Sequence, residues 1–104
     1  MKDQIKKVFS SAELVYENKD YTSATILYFK AFFLLCDHFL LENQGLSPKD
    51  HTQRFQLLKK YYPEFYEFLD TTFSIYRETY TSEIEKEVCD TIRDHVTKIY
   101  QTVE

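Results

Sequence analysis

Arg77 and Tyr80 are of types suited to holding a nucleotide, a guanidinium for phosphate and an aromatic ring for a base. Three residues apart, they share one face if the segment is helical. The competing reading is an ion pair beside a packed tyrosine, with Glu13, Glu17 and Asp70 among the candidate partners. Arg54, Lys59 and Lys60, followed by Tyr61 and Tyr62, repeat the same chemistry; their plainer reading is a helix end whose lysines face the negative end of its dipole. His51 is a further candidate, because imidazole changes charge near neutral pH, with capping or packing as the alternative. Lys2, Lys6 and Lys7 form the other basic cluster.

Other chemistries find little support. No HExxH occurs, and none of His38, His51 and His95 has an acidic residue three positions earlier, as helical di-metal sites require. Cys36-Asp37-His38 gathers ligand types, but consecutive helical positions point in different directions. Cys36 and Cys89 have no CxxC spacing and read as reduced thiols on buried helix faces. No serine or cysteine sits in a nucleophile elbow. No catalytic residue, metal or cofactor is therefore assigned.

Composition narrows the class. One glycine in 104 residues leaves nothing for a dinucleotide fingerprint or a phosphate-cradling loop. Nine Phe and nine Tyr demand a folded core, and two prolines with that single glycine are too few turn residues for a many-stranded sheet. The net charge of -4 argues against a general polyanion binder, although a local basic patch remains open. The N-terminus lacks the apolar stretch of a signal peptide, and the longest apolar run, Ala31 to Cys36, is short of the roughly 18 residues of a membrane span. A cytoplasmic protein without membrane contact is the expectation.

Apolar periodicity then predicts the elements that must carry these residues. Ile5, Val8, Phe9, Ala12, Val15 and Tyr16 mark a first helix after Asp3, an acceptable N-cap. A second runs from about Thr22 to Glu42, apolar nearly all round from Phe29 to Leu35 except at Lys30, which implies burial against several neighbours or a second subunit. Gly45 ends it; Ser47 and Pro48 read as N-cap and first turn of a third helix to Tyr61. Pro63 opens a fourth, ending near Tyr80, with Phe65, Phe68, Leu69, Phe73, Tyr76 and Tyr80 as its stripe. Ser82 and Glu85 fit a capping box for a fifth, lined by Ile84, Val88, Ile92, Val96, Ile99 and Val103. Short connections make this an all-α, up-and-down antiparallel bundle of four to five helices, one domain over residues 1–104.

Two local patterns resemble known families. Ala24-x3-Tyr28 after Lys19-Asp20-Tyr21 looks like half a tetratricopeptide unit, but a shift of 34 residues lands on Phe55, Leu58, Tyr62 and Phe65, with no small residue among them, so a solenoid is rejected. Over nearly the whole chain the sequence resembles the HEPN superfamily, the higher eukaryotes and prokaryotes nucleotide-binding domains. The resemblance rests on Asp20-Tyr21-x2-Ala24-x3-Tyr28-x2-Ala31, the segment Gly45-Leu46-Ser47-Pro48-Lys49-Asp50-His51, and Phe73-Ser74-Ile75-Tyr76-Arg77-Glu78-Thr79-Tyr80. It implies a helical bundle, usually dimeric, often beside a small nucleotidyltransferase, and in several branches cleaving RNA at a dimer cleft.

Those nuclease branches use an Arg followed after four to six residues by His. Here Arg77 is followed by Ser82, Glu83 and Ile84, Arg54 by Lys59, Lys60 and Tyr61, and Arg93 by Lys98, Ile99 and Tyr100. The expectation is a non-catalytic homodimeric module that partners a nucleotidyltransferase or another nucleotide-handling protein, with Arg77, Tyr80, His51 and Arg54 as candidate nucleotide- or RNA-binding residues. The alternatives are a toxin-like, metal-independent ribonuclease acting at a dimer cleft with Arg77 and His51 or Tyr80, and a scaffold that binds only protein.

Overall fold

The computed structural model describes residues 2–103, in five helices: α1 (Lys2–Glu17), α2 (Tyr21–Gln44), α3 (His51–Tyr61), α4 (Pro63–Glu78) and α5 (Lys86–Gln101). The bundle is all-α, as the periodicity requires. α2 is its axis: α1 and α5 pack along one side of it, while α3 and α4 pair with each other and lean on the other. The radius of gyration, 13.2 Å, is that of a compact chain of this length.

α2 is the element from which the rest follows. Ala24, Tyr28, Phe29, Ala31, Phe32, Leu35, Cys36 and Leu40 are wholly buried, drawn from most of its circumference. Although its longest unbroken apolar run is short, the helix as a whole is long and apolar enough to cross a membrane, with a mean hydropathy of 1.6 over an 18-residue window. Its charged residues are too few to lower that average. Of that window 61% is buried against the other helices, as befits the core helix of a bundle. Both cysteines are free and buried.

The ends of α2 are set by left-handed residues. Gly45 (φ 69°) closes it with an αL cap, its N–H donating to Leu41 O (3.0 Å), while the N–H of Leu46 donates to Leu40 O (3.2 Å). Lys19 (φ 64°) plays the equivalent part after α1, and Asp20 then caps α2 by accepting from Ser23 N–H (3.1 Å).

Several predicted boundaries differ: α1 already contains Asp3, the expected N-cap, α2 extends a residue or two past each expected end, and three further differences have a visible cause. α3 begins at His51, not Pro48: the Asp50 side chain accepts from Gln53 N–H (2.8 Å) while Gln53 Oε1 accepts from Lys49 N–H (2.7 Å), and this reciprocal pair displaces Ser47 as cap. α5 begins at Lys86 with Glu85 as N-cap, not at the Ser82 capping box. There a tertiary bond wins, for Ile84 donates its N–H to Thr22 Oγ1 (2.8 Å) and buries its side chain before the helix starts. α4 ends at Glu78, so Tyr80 lies in the following turn rather than on the helix.

A polar clamp fastens α5 to α1. Arg93 donates from Nε and Nη2 to the two carboxylate oxygens of Glu13 (both 2.9 Å), and the hydroxyl of buried Tyr28 donates to the same carboxylate. The Arg93 guanidinium lies 4.3 Å from the centre of the Tyr16 ring, whose hydroxyl donates to Asp90. Hydrogen bonding to Arg93 holds Glu13 below the usual carboxylate range, against the opposing effect of burial. The backbones of α4 and α5 stay apart, and the two helices meet through Phe68 and His95, stacked at 3.7 Å with their planes 5° apart.

Lys19→Gly removes a left-handed non-glycine residue and is expected to stabilise the fold by about 0.5–1 kcal/mol, whereas Gly45→Ala is expected to destabilise it by about 1 kcal/mol. A Cβ at position 45 meets nothing within 4 Å, so that cost is conformational, and urea unfolding of both variants checks the opposite signs. For His95, burial and then Lys98 lower the pKa, and Nε2 is buried without a hydrogen-bond partner among the described residues. The unfolded chain therefore takes up the proton first: stability is complete above about pH 6.5 and falls as pH drops below it. His95→Phe is expected to flatten the slope of unfolding free energy against pH in that range.

Candidate functional site

Three helices and the turn after α4 bring the candidate residues together on one side of the bundle. α2 contributes Phe33 and Asp37, α3 His51 and Arg54, α4 Phe73, Tyr76 and Arg77, and the turn after it Tyr80. Asp37 is the feature that organises them. A carboxylate on so apolar a helix needs a partner, and Arg54 supplies a bidentate one, Nε to Oδ1 at 2.7 Å and Nη2 to Oδ2 at 2.8 Å. Both side chains are largely covered, 12% exposed for Arg54 and 19% for Asp37.

The third arm of the guanidinium defines the histidine. Arg54 Nη1 lies 2.8 Å from His51 Nδ1, and since guanidinium nitrogens only donate, Nδ1 is the acceptor. The neutral ring then carries its hydrogen on Nε2, where it can donate but not accept. Burial, reinforced by the Arg54 charge, lowers the His51 pKa, so the imidazole is neutral at pH 7. Its ring is held among Phe33 (4.6 Å), Phe73 (5.5 Å) and Tyr76 (5.9 Å).

Arg77 and Tyr80 stand at the rim. Arg77 is exposed, with its guanidinium 5.9 Å from the centre of the Phe73 ring. Among the described residues it has no ion pair or side-chain hydrogen bond; of the carboxylates suggested for it, Glu13 is bound to Arg93. Tyr80 is 68% exposed and shares a hydroxyl hydrogen bond of 3.0 Å with Tyr76. Burial and that bond push the Tyr76 pKa up to about 12, so the phenol stays protonated. The two residues do not project from one helix face, because Tyr80 lies past the end of α4.

Of the four candidates, then, His51 and Arg54 are in direct contact, Tyr80 joins them through Tyr76, and Arg77 through Phe73. Asp37 was missed as a partner, though a lone acid in the apolar stretch of α2 was a visible signal. The other basic group does not assemble. Lys59 lies over Tyr66 and Lys60 over Tyr61, while Tyr62 turns inward, stacks on Phe65 at 5.5 Å and donates to Phe39 O (3.2 Å). Among the described residues, no group of three or more His, Cys, Asp or Glu comes together to hold a metal ion.

Chemically the cluster has a net charge carried by Arg77, an exposed phenol ring, a neutral imidazole donor, and an inner Arg–Asp pair whose charges cancel. This is suited to stacking and to one phosphate contact, not to proton abstraction. The arrangement predicts that the His51 pKa, followed by NMR titration of the ring, lies below 6.5 and that the Nε2–H tautomer dominates above it. In Arg54→Met the cation is gone while burial remains, so the His51 pKa is expected to rise from its wild-type position. No protein-family model, no curated protein and no solved structure matches this chain.

Proposed function

We propose that this chain is a HEPN-like helical module, non-catalytic and homodimeric, that works in the cytoplasm beside a nucleotidyltransferase or another nucleotide-handling protein. Its Arg77–Tyr80 rim, backed by His51 and Arg54, offers a nucleotide or RNA a cation and a stacking ring. The observation that carries this reading is the fate of the chain's three arginines. Arg54 and Arg93 are each spent on a bidentate carboxylate, and Arg77 alone presents its guanidinium to solvent, close to an exposed tyrosine.

The same observation weighs against the ribonuclease alternative. The arginine in contact with a histidine is Arg54, whose charge is cancelled by Asp37, and it holds His51 in the tautomer whose outer nitrogen cannot accept a proton. Arg77 and His51 share the Phe73 ring as a neighbour, and among the described residues no hydrogen bond joins them.

Purification from the native host with identification of what co-purifies tests the partnership: a nucleotidyltransferase is expected, and recovery of no partner counts against it. For the rim, Arg77→Ala is expected to weaken binding of a short single-stranded oligoribonucleotide about tenfold, as loss of one phosphate contact would, with Tyr80→Ala lowering it by a similar factor through lost stacking. Cleavage of that oligonucleotide by the wild type, abolished in Arg77→Ala, would establish the nuclease instead.

A further inference from the structure

The neighbours of α2 leave one stripe of it open. Ile26, Leu27, Lys30, Leu34, Asp37 and Leu41 fall within one arc of the helix, at successive spacings of one, three or four residues. Lys30 is exposed, Leu41 is 44% exposed, Ile26, Leu27 and Leu34 are half-buried, and Asp37, largely covered by Arg54, keeps 19% of its side chain exposed, while the wholly buried residues lie on the rest of the circumference. Leu27, Leu34 and Leu41 recur every seven residues over about 21 Å of helix, a spacing that serves a helix partner rather than solvent. Lys30 has no ion pair among the described residues.

The charges on this stripe say what covers it. We infer that a second copy of this chain packs its own α2 antiparallel on the stripe, about a two-fold axis through Leu34. That axis sets Leu27 of one copy opposite Leu41 of the other and Leu34 opposite Leu34. It also brings Lys30 of each copy to Asp37 of the other, because the two charges flank Leu34 at nearly equal distances on opposite sides. A parallel pairing would instead set Lys30 against Lys30 and Asp37 against Asp37. The stripe is therefore complementary to itself in one orientation, as a closed two-fold contact requires. Asp37 keeps its Arg54 partner, since its carboxylate has lone pairs to accept a second cation.

This inference rests on the homodimer reading and assigns it a face. The test is Leu34→Cys under mild oxidation. Because Cys36 and Cys89 are buried, the wild type gives no covalent dimer, whereas Leu34→Cys is expected to cross-link nearly completely at micromolar concentration. Leu14→Cys, on the exposed side of α1 and outside the stripe, is the negative control. Lys30→Glu, which sets like charges together, is expected to weaken the dimer at least about tenfold by sedimentation without loss of helicity. A wild type that sediments as a dimer while Leu34→Cys stays uncross-linked overturns this face and leaves the homodimer standing. Cross-linking with an unchanged Lys30→Glu dimer overturns the antiparallel register, and a strict monomer at high micromolar concentration overturns face and homodimer together.

Discussion

Everything in this molecule answers to the apolar circumference of α2. A helix with a single hydrophobic stripe can rest on one neighbour, but one buried through most of its circumference must be wrapped, and the four other helices do this from two sides. The single-residue link at Tyr62 keeps α3 and α4 together on one flank, while the longer turn after α4 carries α5 across to the flank of α1. The aromatic abundance of the chain serves the same end: Phe29, Phe32 and Phe33 interlock with Tyr76, Phe65 and Phe68 in edge-on and tilted pairs. Such pairs fill space between helices that few small residues allow to approach closely.

Two polar clamps orient what the apolar contacts leave free to slide. Glu13 with Arg93 and Tyr28 fixes α5 against α1; Asp37 with Arg54 and His51 fixes α3 against α2. In both, the planar guanidinium spans two carboxylate oxygens, a geometry that tolerates little rotation or translation. The functional consequence is subtraction. An arginine bound in this way has little charge to offer a phosphate, so the clamps that specify the fold also reduce the surface cations capable of recognition to the lysines and Arg77.

The helices were legible in the sequence because each carries enough apolar residues at 3.6-residue spacing to reveal its face. What periodicity could not supply was the competition among caps. Ser47-Pro48 and Ser82-x2-Glu85 are sound local signals, but the first loses to the Asp50–Gln53 pair a few residues on, and the second to a bond from Thr22, 62 residues away. Only the first competitor was visible locally. The candidate site divides in the same way. Arg54 and His51 could be picked by residue type, and their three-residue spacing allowed contact; that Asp37 would neutralise Arg54 depends on the relative rotation of α2 and α3, which no local pattern encodes. Tyr80 was placed on a helix that Thr79 ends, its hydroxyl donating back to Tyr76 O.

The position of Phe73 decides how the rim can work. Its ring neighbours both the Arg77 guanidinium and the His51 imidazole, and among the described residues no hydrogen bond joins the two polar groups. Acid–base cooperation between them would need a shared reacting atom within hydrogen-bond reach of each. A ligand that stacks on Tyr80 and extends a phosphate toward Arg77 needs no such sharing: the cation and the ring are addressed by different parts of one nucleotide. The Phe73 ring then becomes useful, since a half-buried aromatic surface beside Arg77 lowers the local dielectric and strengthens the one arginine charge that the two clamps leave available. On the proposed reading, the Asp37–Arg54–His51 triplet supports the rim from behind rather than supplying a reacting group.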